Sequence, residues 1–232
     1  MALVNPLQVF RTASMVLFDS QLVLLGPSAY VILDQFGEAG YIAWALVYPG
    51  VLGLCGIVLG WGYSAPPLNL NSRGLGEVSV LAGFGLLPLV TYLVQTGALS
   101  WTLLLASLPV GLLTANLLYI NQFPDRQADI QAHKLHWVAR LSAHVARWGY
   151  VLIALLAWLT LPVLIVSGVL PLLASISALP VVLSIKAARI LLRHAAATPQ
   201  KLAPAIELTI LAVLSHGALL TLALVMASFV TI

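Results

Sequence analysis

Three residues in one stretch have the types and the spacing to do chemistry. In a chain of 232 residues with only 7% charged, Asn121, Asp125 and Asp129 recur every fourth position. On a helix they lie along one face at i, i+4 and i+8. Two carboxylates turned the same way, with no basic neighbour between them on that face, repel unless a cation sits there. Mg²⁺ suits such a pair, because it takes hard oxygen ligands, keeps several waters and is completed by substrate phosphates. Lys134 and Arg140 follow closely and could meet an anion. Pro124 denies a hydrogen bond to the carbonyl of Ile120, so the helix is expected to bend or restart where the acids begin. An ordinary polar connection between two helices would explain the charges but not their register.

The elements that must position these residues are membrane helices. The chain is 61% hydrophobic with mean hydropathy +1.05, which excludes a soluble domain. Runs of about 20 apolar residues predict an all-α, polytopic membrane bundle of about seven helices. Their expected positions are 13–33, 39–61, 77–96, 101–122, 147–167, 170–187 and 206–230. No internal repeat or low-complexity linker divides residues 1–232, so a single domain is expected. The one cysteine, Cys55, excludes disulfides and thiolate metal sites. No secretory signal is visible at the start.

Charge sets the expected orientation. The Lys and Arg residues fall in alternate segments: Arg11, Arg73, then Arg126 to Arg147, then Lys186 to Lys201. By the positive-inside rule these segments and the N-terminus face the cytoplasm, and the C-terminus lies opposite. Membrane lipid headgroups are expected partners of the basic side, and no nucleic-acid partner is expected. The loop 62–77 carries Pro66-Pro67, which forces an extended path, then Gly74 and Gly76, which permit tight turns. Tyr63 and Arg73 on this loop would suit a diphosphate or an acidic aromatic molecule. His133 and His136 read as solvated loop histidines, since no third nitrogen or sulfur partner accompanies them.

The pattern Asn121-x-Phe123-Pro124-Asp125-x-x-x-Asp129, followed by Lys134 and Arg140-Leu141, resembles the second aspartate-rich motif of the UbiA-type intramembrane prenyltransferases. It is most similar to the branch acting on dihydroxynaphthoate in menaquinone synthesis. Gly62-Tyr63-Ser64-Ala65-Pro66-Pro67-Leu68, with Arg73-Gly74-Leu75-Gly76-Glu77, resembles the loop after that family's fourth helix. Pro199 to Thr209 is similar to the segment before its last helix. The chain departs from the family in two places. Asn69 stands where a basic residue is usual, and His133-Lys134-Leu135-His136 stands where the family favours Gly-Lys-Arg/Asn-Thr.

The resemblance implies Mg²⁺ as cofactor, with Asp125 and Asp129 as its ligands and the catalytic carboxylates. It implies Asn121, Lys134, Arg140, Tyr63 and Arg73 as substrate-binding residues. The implied activity transfers an isoprenyl group from its diphosphate to an aromatic acceptor in quinone or related lipid biosynthesis. The family's first motif, Asn-Asp-x-x-Asp-x-x-x-Asp, finds no counterpart, since no Asn-Asp pair occurs. The chain therefore resembles family helices three to nine, and little turnover is expected from it alone. The alternative is a non-catalytic membrane subunit that holds a quinone, pigment or isoprenoid lipid within a larger complex, another membrane subunit replacing the missing helices.

Overall fold

The computed structural model describes residues 35–37, 39–40, 50–51, 53–96 and 99–230. The expected span 13–33 lies outside them, and so does part of 39–61; residues 53–64 are helical. The chain forms two compact units. One comprises Leu59–Leu86 with Thr102–Ile232, and the other takes in Leu87–Trp101 with the chain up to Val58. The larger unit carries every residue of the candidate site: Tyr63, Arg73, Asn121, Asp125, Asp129, Lys134 and Arg140.

Helix α1 covers Gly76–Gly85 and α2 covers Leu87–Thr96; α3 is Trp101–Gln131, α4 is Trp137–Arg140 and α5 is Ala143–Val166. A 3₁₀ helix, Leu172–Ala178, precedes α6, Val181–His194, and α7 is Pro199–Val230. Among the described residues no strand occurs. Among the described residues, five segments are long and apolar enough to cross a membrane: Gly76–Leu93, Trp101–Gln131, Ala143–Val166, Leu172–His194 and Pro199–Phe229. The protein is an integral, multi-pass, all-α membrane protein.

Three boundaries differ from the sequence reading. The expected helix 77–96 is broken at Leu86, where Pro88 cannot donate to the carbonyl of Phe84 and its ring crowds that turn. Helix α3 does not stop near residue 122 or restart at Pro124; it runs through Pro109 and Pro124 to Gln131. Side-chain bonds from the turns beyond Pro124, described below, offset the roughly 3 kcal/mol that an interior proline costs. The expected last loop, from Lys186 to Lys201, shrinks to residues 195–198, because α6 extends to His194 and α7 begins at Pro199.

Small residues let the helices approach where lipid supplies no hydrophobic drive between them. On α5, Ala146, Tyr150, Ala154, Ala157, Leu161 and Leu164 recur every three or four positions and are all buried. Near the candidate site Ala146 and Tyr150 join a core of Tyr119, Ile120, Phe123, Val138, Leu191 and Leu202. A second core, around Leu164, Ala174 and Leu220, fills the other end. Polar ties fix the register: Tyr119 Oη donates to the Ala146 carbonyl at 2.8 Å, and the hydroxyls of Tyr150 and Thr209 lie 2.8 Å apart. Gly149 is required beside the first of these, because a Cβ there would collide with the Tyr119 phenol. His216 is buried with Nδ1 2.8 Å from the Ser177 carbonyl oxygen, an interhelical polar contact.

Candidate functional site

The last two turns of α3 carry the acidic register. Because the helix is continuous to Gln131, Asn121, Asp125 and Asp129 do follow one another along one side, about 6 Å apart per step at 1.5 Å per residue. Asn121 and Asp125 are exposed. The Asp125 side chain makes no hydrogen bond or ion pair with any described residue. Asp129 is different: its side chain is 15% exposed, and Lys134 Nζ lies 3.2 Å from Oδ1. His136 Nε2 lies 3.0 Å from Oδ2. His136 Nδ1 accepts from the Ala139 amide at 3.2 Å, so the ring proton sits on Nε2 and is donated to Asp129.

His136 is thus no solvated loop residue. It is 1% exposed, caps α4 through Nδ1 and orients Asp129 through Nε2. No spacing in the sequence marks it, because its two partners sit three residues after and seven before it on different elements. His133, by contrast, is exposed and takes φ +56° where α3 ends. The Lys134 amide reaches back to the Asp129 carbonyl at 2.8 Å, the left-handed termination that glycine favours. Asn69 likewise takes φ +41°, a conformation asparagine tolerates better than most residues.

A second set of bonds clamps the segment after the acids. Arg126 donates from Nε to the Val138 carbonyl at 2.9 Å and from Nη2 to the Leu141 carbonyl at 3.0 Å. Trp137 Nε1 donates to the Gly74 carbonyl at 2.7 Å, which ties this segment to the loop 62–77. Gly74, at φ +79°, ends the 3₁₀ turn Asn71–Arg73. Arg140 is exposed with its guanidinium 5.8 Å from the Trp137 ring centroid, a cation–π distance. Arg73 donates to the Pro67 carbonyl at 2.8 Å. The structure therefore joins Lys134 directly to Asp129 and brings Arg140 to the loop of Arg73 by way of Trp137. It makes no direct bond from Arg140, Arg73 or Tyr63 to either aspartate among the described residues.

One turn below Asp125 on the same side of α3 is a buried polar pair. Gln122, 6% exposed, donates from Nε2 to Glu77 Oε1 at 2.8 Å. The other oxygens, Glu77 Oε2 and Gln122 Oε1, are buried and have no partner among the described residues, and the same holds for Asn71 Oδ1. A Cβ on Gly76, next to Glu77, would lie 2.9 Å from that Asn71 oxygen. Tyr63 lies in the field of Glu77; burial first, and that carboxyl second, push its phenol above the usual range. Tyr63 therefore stays a hydroxyl donor at neutral pH. Sequence reasoning missed Gln122 and used Glu77 only as the residue opening α1.

The donor set fits a hard divalent cation such as Mg²⁺. Each carboxylate oxygen has two lone pairs, so the bonds to Lys134 and His136 leave Asp129 acceptor capacity while fixing its orientation, and Asp125 is open. Among the described residues no group of three or more His, Cys, Asp or Glu side chains gathers to cage a metal. A cation here would need further oxygens from water or from an anionic ligand.

Parts of the chain are similar to known proteins. The chain is 38% identical over 94 residues to the 2-carboxy-1,4-naphthoquinone phytyltransferase of Synechocystis sp., covering 39% of this chain and 31% of that protein. It is 32% identical over 131 residues to the 1,4-dihydroxy-2-naphthoate octaprenyltransferase of Haemophilus influenzae, covering 56% of this chain and 39% of that protein. A chloroplastic 2-carboxy-1,4-naphthoquinone phytyltransferase of Arabidopsis thaliana is 30% identical over 104 residues, 40% of this chain and 27% of that protein. The matches thus span well under half the length of these curated relatives. No solved structure matches. The pattern of the UbiA prenyltransferase family matches residues 22–211, and the chain belongs to that family.

Proposed function

We propose that the protein binds an isoprenyl diphosphate through Mg²⁺ at Asp125 and Asp129 and transfers the isoprenyl group to a hydroxylated naphthoate in quinone biosynthesis. One observation carries the reading: an open carboxylate at Asp125 stands one turn from a carboxylate at Asp129 that Lys134 and His136 hold in place. When bound, the cation supplies neutralising charge for the departing diphosphate. The chain's own residues do the positioning. Lys134 is half exposed and has two N–H groups beyond the one given to Asp129, available to phosphate oxygens. Arg140, 5.8 Å from the Trp137 ring centroid, offers a second cation, and Asn121 offers an amide one turn before Asp125. Arg73 keeps free donors for an acidic acceptor after its bond to Pro67. The 1,4-dihydroxy-2-naphthoate named for one relative supports this acceptor class, and the naphthoquinone carboxylate named for another shares its bicyclic ring and carboxylate.

Titrating Mg²⁺ into the purified chain with an isoprenyl thiodiphosphate should show that each strengthens the binding of the other, an effect lost in Asp125→Asn. Equal enhancement in the variant would contradict the assignment. We also place the basic segments and the N-terminus on the cytoplasmic side. In a Cys55→Ala background, cysteines at His144 and Gly97 should then be labelled from opposite sides; labelling of both from one side would refute the orientation.

A further inference from the structure

The last three helices carry cations that their own acids do not answer. Residues 143–232 hold five Lys and Arg side chains, Arg147, Lys186, Arg189, Arg193 and Lys201, against one acid, Glu207. Glu207 is exposed and, like Lys186, Arg189 and Arg193, forms no ion pair with any described residue. Those three cations stand at i, i+3 and i+7 of α6, so they share one face, and all three are exposed. The opposite face is the packed one, where Ser184, Ala187 and Leu191 are buried. A fourth cation joins the end of α6. Arg147, in the second turn of α5, donates from Nη1 to the Leu192 carbonyl, at the helix end where positive charge is favoured.

Depth gives the stripe its meaning. Helix α6 belongs to a segment, Leu172–His194, long and apolar enough to cross a membrane. Lys186 lies about 12 Å along the axis from His194, so its ammonium reaches water only by stretching toward the helix end. One turn further in, Val182 and Ile185 are exposed on the same face. The face thus runs from cations to hydrocarbon, the profile of a phospholipid.

We infer that Lys186, Arg189 and Arg193, with Arg147 at the helix end, form a binding site for an anionic phospholipid. The phosphate ester lies among the cations and an acyl chain follows Ile185 and Val182. Guanidinium groups suit this ligand, because each presents paired N–H donors to phosphate oxygens. A soluble phosphate has no use for the apolar continuation. An acidic polypeptide could follow the stripe inward only by stripping water from its own carboxylates. None of these residues serves the diphosphate site, so the inference stands apart from the transferase reading.

The test is native mass spectrometry of the full chain in detergent, titrated with phosphatidylglycerol or with phosphatidylcholine of the same acyl chains. The dissociation constant of the first lipid bound is read. Each cation near an anionic headgroup is worth about fivefold in affinity, so two are worth about 25-fold. Phosphatidylglycerol should bind the unaltered chain at least about 25-fold more tightly than phosphatidylcholine. Arg189→Gln combined with Arg193→Gln should remove most of that preference and leave phosphatidylcholine binding alone. Both side chains are exposed, so the melting temperature without added lipid should not change. Lys186→Gln should give a single step of about fivefold and serves if the double variant does not fold. Lys201→Gln removes a cation that lies on α7, off the stripe, and should leave the preference unaltered. If Lys201→Gln costs as much as Lys186→Gln, general surface charge attracts the lipid and the inference is overturned. It is overturned equally if the two lipids bind alike, or if the stripe variants keep the preference. Displacement of phosphatidylglycerol by inorganic phosphate or by an oligoglutamate peptide would also overturn it, in favour of a soluble anion or an acidic chain.

Discussion

Two polar regions occupy the same side of α3, a turn or two apart, and they are finished in opposite ways. Around Asp129 the chain supplies the partners that orient it: Lys134 and His136 each meet one of its oxygens, and Arg126 pins the following segment by two carbonyls. Around Gln122 the chain supplies one bond, to Glu77, and leaves Glu77 Oε2 and Gln122 Oε1 unanswered by the described residues. The difference separates a region whose bonds hold a shape from one whose buried acceptors the described residues leave unbonded. Asp125 sits between them, exposed and bonded to no described residue.

Substitutions can break or sharpen this contrast. The largest effect is expected from Asp129→Ala, which strands the buried His136 and Lys134. It should lower stability by about 1–3 kcal/mol and abolish Mg²⁺-dependent diphosphate binding, whereas Asp125→Ala should lose the binding and keep the melting temperature. Equal melting temperatures for the two variants would erase the distinction. His136→Ala should follow, removing a cap worth about 1 kcal/mol and one of the two groups orienting Asp129. Loss of such an orienting partner lowers metal affinity about 10–100-fold, read by calorimetry with Mn²⁺ and thiodiphosphate. Gly149→Ala touches neither region but drives a methyl into the Tyr119 phenol. A destabilisation of about 1–3 kcal/mol is expected, measured by detergent-phase thermal melting, with diphosphate affinity unchanged in the folded fraction. The smallest effect should come from His133→Gly, which relieves a left-handed residue at the end of α3 and should gain about 1 kcal/mol.

The sequence shows the membrane class and the register of the acids because both are periodic. Apolar runs and an i, i+4, i+8 spacing survive whatever the neighbours do. What it hides depends on contacts between distant elements. Pro124 reads locally as a break, yet Arg126 and Asp129, bonded to residues 134–141, carry α3 past it. His136 reads as loop because nothing in its own neighbourhood reports that it folds back onto Asp129. Glu77 and Gln122 are 45 residues apart and carry no motif together; only the packing of α1 on α3, where Gly85 and Gly111 approach closely, makes them a pair. The two departures from the family pattern become legible in the same way. Asn69 and His133 both take positive φ, so those positions are governed by backbone conformation as well as by charge.

The central claim is that Asp125 and Asp129 hold a divalent cation together with a diphosphate. Replacing Mg²⁺ by Mn²⁺ makes that ternary contact directly observable. Pulsed electron paramagnetic resonance of the chain with Mn²⁺ and an isoprenyl thiodiphosphate should show hyperfine coupling to phosphorus, present in the unaltered chain and absent in Asp125→Asn. Phosphorus coupling of the same size in Asp125→Asn, or none in the unaltered chain at saturating ligand, would contradict the account.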